Sequence, residues 1–429
     1  MTHIGAIFPP VSSHVDTMMA LGKELKQRGH KVTLFQIPDV KSKVLAEGLE
    51  FCSLGKSEHP LGSLDRFSAK MGTLSGLAAV RYGVMVTRNA TDMLCREAPA
   101  ALKQAGIEIL LVDQGEPVGG TVAEYLGIPF VNVCSALAAN YEISIPPIST
   151  PWDYNNSWWA YLRNQMGYFV IDWLVQPITA VLAHYRKQWK LPVHRGANDT
   201  CSPFAQICQQ TAAFDFPRTR LPECFHYVGP FQKSSLRTVP FPFEQLTGQP
   251  LIYASLGTLQ NRRQEIFHYI AAACEGLGCQ LVISLGGGGC PEELQGLPGT
   301  PLVVKYAPQR ELLAKATLTI THGGLNTTLE SLSYGVPMVA IPIATDQPGV
   351  GARLRWTGAG EVVPLAKLNI PRLRTAVQRV LTEASFRTNV AKLQKSILQS
   401  GGVVQAADIV DQVISTGQPV LAGHLRGHK

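Results

Sequence analysis

Two patterns of apolar positions alternate along this chain. Short runs in which nearly every residue is apolar or β-prone are followed by longer stretches where apolar residues recur every three or four positions. The run His3 to Phe8 predicts a strand, Asp16 to Arg28 an amphipathic helix closed by Gly29, and Lys31 to Ile37 the next strand. The alternation returns with a strand from Ile109 to Val112, a helix from Val118 to Leu126 and a strand from Phe130 to Cys134. Strands separated by helices imply a parallel sheet covered on both faces.

From Ser157 to Lys190 the pattern is helical and aromatic, and short strands at Ala205 to Gln210 and Cys224 to Val228 follow. Between Gly229 and Pro250 the prolines Pro230, Pro240, Pro242 and Pro250 and a lack of periodicity predict a connecting segment. A second strand series then begins at Leu251 to Ser255. It continues through Gln280 to Leu285, Leu302 to Lys305, Ala316 to Thr321, Pro337 to Ile341 and Glu361 to Val363. The expected fold class is therefore α/β, with two Rossmann-like βαβ domains facing a central cleft. The expected domains are residues 1–235, a linker 236–250, a second domain 251–401, and a last helix and tail, 402–429, returning to the first. Ligands of such sheets bind beyond the carboxyl ends of the strands.

Composition narrows the class. The 429 residues suffice for two cores, and 45% are apolar. The net charge of +7 is spread over scattered Lys and Arg, so nucleic acid is not an expected partner. Nine cysteines, an odd number with no Cys-x-x-Cys pair, point to unpaired thiols in a reduced, cytoplasmic compartment. The N-terminus lacks a basic segment followed by an apolar run, so no signal peptide is expected. The most apolar long stretch, Gly167 to Ala183, is interrupted by Asp172, Gln176 and Pro177, and no spanning helix is expected there.

The stretch Thr321 to Glu330, with Asp346 and Gln347 after the next strand, carries the densest chemistry. It joins a strand, a Gly323-Gly324 turn and a helix N-terminus, whose first N–H groups have no intrahelical partners and favour an anion. His322 and Thr327 add donors to a phosphate, and Glu330, one turn beyond Asn326, reaches a ribose diol from the same helix face. Taken singly, each residue fits a turn or a helix cap equally well. A second hydroxyl-and-glycine turn, Ser255-Leu-Gly257-Thr258, follows the strand 251–255 and either approaches the phosphates or simply turns the chain. The glycine run Gly286 to Gly289 fails the dinucleotide fingerprint because Pro291 stands where the third glycine should open a helix; it reads as a flexible loop lining the cleft.

In the first half, His14 follows one strand and Asp113 ends another, so both face one crevice. A carboxylate on one imidazole nitrogen fixes the tautomer and leaves the other to take a proton. The alternative is a helix cap and a satisfied turn. Trp152, Trp158, Trp159, Phe169 and Trp173 form an aromatic concentration that reads as the wall of an apolar acceptor pocket, a face resting on a membrane, or core.

Together these residues resemble glycosyltransferase family 1, the nucleotide-sugar-dependent enzymes of GT-B fold. The resemblance spans nearly the whole chain. It implies that His322, Gly324, Asn326, Thr327 and Glu330 hold the diphosphate and ribose, and that Asp346 and Gln347 hold the sugar hydroxyls. Ser255, Gly257 and Thr258 approach the phosphates, and Tyr306-Ala-Pro-Gln309 stands where the family has Trp-x-Pro-Gln against the uracil. The resemblance makes His14 the catalytic base and Asp113 its partner. Local matches at Ile7 to Pro10, Thr91 to Glu97, Val112 to Pro117 and Ala254 to Gln260 resemble the zeaxanthin glucosyltransferase branch. That branch implies an inverting transfer of glucose from UDP-glucose, as co-substrate, to a hydroxyl of a lipophilic carotenoid. No cofactor and no metal is implied, since no Asp-x-Asp motif is present. Flavonoid, sterol or macrolide acceptors, a nucleotide-sugar epimerase, and a non-catalytic nucleotide-sugar-binding subunit are the alternatives. Peripheral membrane contact is expected if the acceptor resides in a bilayer.

Overall fold

The thirteen strands among the described residues all pair in parallel, in two separate sheets. The computed structural model describes residues 1–74, 76–231, 239–257 and 263–423. The first sheet contains β1 (His3–Ile7), β2 (Lys31–Gln36), β3 (Glu50–Ser53), β4 (Ile109–Asp113), β5 (Phe130–Cys134), β6 (Gln206–Cys208) and β7 (Phe225–Tyr227), in the order 3-2-1-4-5-6-7. The second contains β8 (Leu251–Ser255), β9 (Gln280–Ser284), β10 (Leu302–Val304), β11 (Ala316–Thr321), β12 (Met338–Ala340) and β13 (Gly360–Val362), in the order 10-9-8-11-12-13. Each order reverses once, between β1 and β4 and between β8 and β11, and each reversal opens a crevice at the strands' carboxyl ends.

The central strands form where the sequence is apolar without interruption. Every residue of β4, β5 and β8 is buried, as expected of parallel strands covered on both faces. The helices of the first half are α1 (Ser12–Gln27), α2 (Lys41–Ala46), α3 (Ser63–Gly72), α4 (Gly76–Ala105), α5 (Val118–Leu126) and α6 (Trp158–Gln188). Those of the second are α7 (Gln264–Cys274), α8 (Gln309–Leu313), α9 (Leu325–Ser333), α10 (Gln347–Thr357), α11 (Ile370–Thr382), α12 (Ala384–Leu398) and α13 (Gly402–Thr416).

α13 leaves the second sheet and packs on α1. Its Ala406, Ile409, Val410 and Val413 are buried in the same core as Ile4, Met18 and Leu34 of the first half. Arg28, at the end of α1, pins it by donating to Asp408 at 2.7 Å and Asp411 at 2.9 Å. Within the connecting stretch, Phe241 and Leu246 pack against Leu251 and Tyr253 of the second half. Residues 236–238 of the expected linker and 424–429 of the tail lie outside the described residues.

The two halves meet through a buried ionic cluster. Arg353 of α10 is wholly buried, donates from Nε to Asp215 Oδ1 at 2.7 Å, and lays its guanidinium 4.4 Å over the Phe216 ring. Arg218 donates from Nε, and the Tyr227 hydroxyl donates as well, to the other oxygen of Asp215, at 2.9 and 2.8 Å. Burial alone would raise the Asp215 carboxyl, but Arg353 and Arg218 hold it far below the usual carboxylate range. Alongside this cluster, Leu137 and Phe214 of the first half join Leu325, Leu329 and Leu354 of the second in one apolar cluster.

One expectation is corrected. Asp172, Gln176 and Pro177 do not interrupt α6, which runs unbroken for 31 residues and is long and apolar enough, by length and composition, to cross a membrane. Its interior proline is tolerated, and Asp172 is satisfied by the Tyr141 hydroxyl, which donates to it at 3.0 Å.

Candidate active site

β1 and β4 flank the reversal of the first sheet, with Ile7 level with Val112. The chain leaving β1 turns through Pro9 and Pro10 into α1, which sets His14 over the end of β4. There His14 Nδ1 lies 2.8 Å from Asp113 Oδ2, and the Gly115 N–H donates to the other carboxylate oxygen at 2.8 Å. Burial lowers the imidazole, but the charge of Asp113, the hydrogen bond to it, and the charges of Asp346 and Glu116 together raise it above its ordinary value. Glu116, buried three residues after Asp113, is pushed up to about 8, by burial first and then by Asp113, with His14 opposing. Glu116 therefore holds its proton to a higher pH than an ordinary carboxyl, and Asp113 is the acid hydrogen-bonded to His14.

Across the cleft, β8 and β11 flank the second reversal, with Ser255 level with Thr321. His322 leaves β11 between two glycines: a Cβ on Gly257 would stand 2.7 Å from its Cε1, and one on Gly324 2.5 Å from its Nε2. The ring fits only because both positions lack side chains. Burial lowers His322 to about 4, with a hydrogen bond to the Ser255 backbone opposing, so the imidazole is neutral in the free protein.

α9 begins just after Gly324 and carries Asn326, Thr327 and Glu330 in its first two turns. Gln309 donates from its amide to the Glu330 carboxylate, and its carbonyl accepts from the Tyr253 hydroxyl at 3.1 Å, which fixes the acid's orientation. Tyr306 is half exposed, its hydroxyl lying over Gly287 of the glycine loop, whose neighbour Gly286 lines the cavity. The Leu137 N–H donates to Asp346 Oδ2 at 3.4 Å across the domain boundary. The Gln347 carbonyl oxygen accepts from the N–H groups of Ile343 and Ala344 at 2.8 and 2.9 Å, leaving its amide nitrogen as the donor it can offer.

One cavity of about 750 Å³ lies between the two strand-end crevices. It is lined by His14 on one side and, on the other, by Ser255, Gly257, Tyr306, Gln309, His322, Gly324, Asn326, Thr327, Glu330, Asp346 and Gln347. Asp113 reaches it through His14. Thr258 lies outside the described residues. The five aromatics read as an acceptor wall are not brought here: Trp152, Trp158, Trp159, Phe169 and Trp173 do not line the cavity, and the last four stand exposed on α6. Apolar lining comes instead from Val11, Met19, Ala20, Ile148, Phe231 and Val239.

Two further residues, Gln209 and Ser135, belong to the site. Gln209, buried just beyond β6, donates from its amide to the Ser135 carbonyl at 2.6 Å and to Asn326 Oδ1 at 2.7 Å. The Asn326 amide in turn donates to the Ser13 carbonyl at 3.3 Å. The Ser135 hydroxyl is buried against the cavity without a partner among the described residues. Their only sequence signal is position: Ser135 and Gln209 each stand immediately past a strand's carboxyl end.

Two Rossmann-type sheets with their carboxyl ends turned on one cleft define a GT-B glycosyltransferase fold. Solved structures agree. The calicheamicin glycosyltransferase CalG4 superposes with a TM-score of 0.75 at 24% identity, over 98% of this chain and 100% of that one. The glycosyltransferase of kitacinnamycin superposes at 0.76 and 19%, over 96% and 98%. VinC, solved in complex with DTDP, superposes at 0.68 and 17%, over 97% and 100%. The model of the UDP-glucoronosyl and UDP-glucosyl transferase family matches residues 69–400, and the chain belongs to that family. Its relatives include a zeaxanthin glucosyltransferase of Pantoea ananas, 37% identical over 99% of this chain and 98% of that protein. Another, of Pseudescherichia vulneris, is 33% identical over 98% and 100%. The protein is thus a glycosyltransferase that binds a nucleotide sugar.

Proposed function

We propose that the enzyme transfers glucose from UDP-glucose, with inversion, to a hydroxyl on a lipophilic acceptor of the carotenoid class. The observation that carries this reading is the His14–Asp113 pair facing the His322–Glu330 block across one cavity. The carotenoid class is supported by two nearly full-length relatives named for zeaxanthin, and by the apolar lining beside His14.

In this reading the uracil stacks on Tyr306, Glu330 takes the ribose diol, and Asp346 and Gln347 orient the glucose hydroxyls. With Nδ1 engaged by Asp113, His14 Nε2 takes the proton of the acceptor hydroxyl. The acceptor oxygen forms a bond to the anomeric carbon as the bond from that carbon to the UDP oxygen breaks on the opposite face. One displacement from an α-linked donor yields a β-glucoside, UDP and a proton held on His14. Charge growing on the leaving diphosphate is met by His322, Thr327, the first N–H groups of α9 and the Ser255–Gly257 turn, so no metal is assigned a role.

The test is mass spectrometry of products from UDP-glucose offered with zeaxanthin, a sterol and a flavonoid in parallel. Mono- and diglucosides of zeaxanthin in preference to the other products are expected. Turnover of the flavonoid alone would overturn the acceptor class while leaving the donor reading intact.

A further inference from the structure

We infer that the exposed face of α6, with the first turns of α4, is a docking surface for an anionic lipid bilayer. Trp158, Leu162, Met166, Phe169 and Trp173 recur at helical spacing on α6, and the three aromatics among them are 76%, 65% and 68% exposed. α4 lies alongside, joined by the Tyr185 hydroxyl, which donates to Asp92 at 3.0 Å, and adds exposed Leu77, Val80 and Met85. So much contiguous apolar surface is unusual for a face meant for water.

The opposite side of α6 is committed to the protein near both ends of the helix. Asn164 donates to the Ile143 carbonyl at 2.9 Å, and the Tyr168 hydroxyl to the Ile145 carbonyl at 3.0 Å. Leu182 is in the core, and buried Arg186 donates to Thr121 at 3.1 Å and Glu124 at 2.8 Å. A helix of this length could span a bilayer only by abandoning these partners. Held by one side, it lies in the interfacial plane with its tryptophans at headgroup depth.

Charge identifies the partner as anionic lipid rather than a second copy of the chain. Setting aside buried Arg186, residues 158–195 contain half-buried Arg163 and exposed Lys187, Lys190 and Arg195 against the single carboxylate Asp172, and α4 adds exposed Arg81 and Arg88. A two-fold contact would set this basic surface against itself, whereas each cation near an anionic bilayer is favourable. The face also adjoins the cavity: Trp152 and Pro147 pack at Gly167 of α6, and Ile148 and Ser149 of the same loop line the cavity. If the carotenoid reading holds, docking presents the cavity mouth to the membrane that stores the acceptor.

Flotation of the full chain with phosphatidylcholine vesicles, with or without phosphatidylglycerol, tests the surface without donor or acceptor present, so its outcome is independent of the acceptor reading. The wild type is expected to float with phosphatidylglycerol-containing vesicles at least about ten-fold better than with phosphatidylcholine alone, and to be released by salt. Vesicles with brominated acyl chains should quench its tryptophan fluorescence. Phe169→Ser/Trp173→Ser and, separately, Arg81→Glu/Arg88→Glu should each cut flotation about ten-fold with unchanged thermal melts. Failure of the wild type to float, or flotation of both variants at the wild-type level, would overturn the proposal. So would a wild-type dimer that Phe169→Ser/Trp173→Ser converts to monomer without any vesicle binding.

Discussion

Asn326, in the first turn of α9, reaches across the cleft and donates to the carbonyl of Ser13, the residue that precedes His14, at 3.3 Å. The helix whose N-terminus is proposed to hold the diphosphate is therefore tied to the backbone that carries the proposed base. Replacing Asn326 with Ala removes this bond and the one accepted from Gln209. At about 1 kcal/mol for each bond, kcat/KM for UDP-glucose should fall roughly ten- to thirty-fold. Steady-state kinetics give the value, and wild-type kinetics in the variant would refute the coupling.

As the proposed base, His14 is expected to set the acid side of the pH profile. Its folded pKa is raised, so the neutral imidazole needed to accept a proton is lost at a higher pH than for an ordinary histidine. The rate should therefore fall as pH drops through that raised value. Asp113→Asn removes the principal raising charge, so the acid limb should move to lower pH while kcat drops about 10²- to 10⁴-fold. His14→Ala should lose kcat to a similar extent with UDP affinity unchanged. A profile whose acid limb stays put in Asp113→Asn counts against the pairing.

His322 is neutral in the free protein, with its pKa at about 4. A bound diphosphate favours the imidazolium, which raises that pKa, so UDP binding should take up protons increasingly as pH falls below neutral. Titration calorimetry in buffers of different ionisation enthalpy measures the uptake. The same uptake in His322→Gln would show that another group is responsible.

The Arg353–Asp215 contact is expected to govern how firmly the halves hold together. Arg353→Met keeps the bulk over Phe216 but leaves the charge of buried Asp215 to Arg218, with the Tyr227 hydroxyl and the Phe216 N–H as its other donors. A loss of about 3 kcal/mol in urea unfolding is expected. The loss should shrink in acid: the depressed Asp215 pKa contributes stability that is present above the ordinary carboxylate value and disappears as pH falls through the lower folded value. A pH-independent difference would point to packing instead.

Much of this architecture is legible from residue order because parallel strands buried on both faces read as unbroken apolar runs. Phe130–Cys134 and Leu251–Ser255 coincide with expected strands for that reason. β3 escaped notice, since Glu50–Ser53 is an edge strand with no wholly buried residue. The stretch covering α3 and α4 carried no expectation at all. The donor block was legible because its residues are close in sequence, and His14 and Asp113 because each follows a strand. Gln209 and Ser135 were not, because their roles depend on how the halves meet. Nor does periodicity say which way α6 turns its aromatics: apolar side chains occur all round the helix, and only the partners of Asn164 and Arg186 mark its inner side.

The return of α13 to the first core has a consequence for biosynthesis. A chain emerging from the ribosome presents residues 1–231 long before 402–416, so the first sheet waits with the surface around Met18 and Leu25 uncovered until translation is nearly complete. The second sheet, whose strands and covering helices are contiguous between 251 and 398, can close before it. The half proposed to bind the nucleotide sugar is then the first to mature, and a premature stop near residue 400 would disable the other half, the one bearing His14.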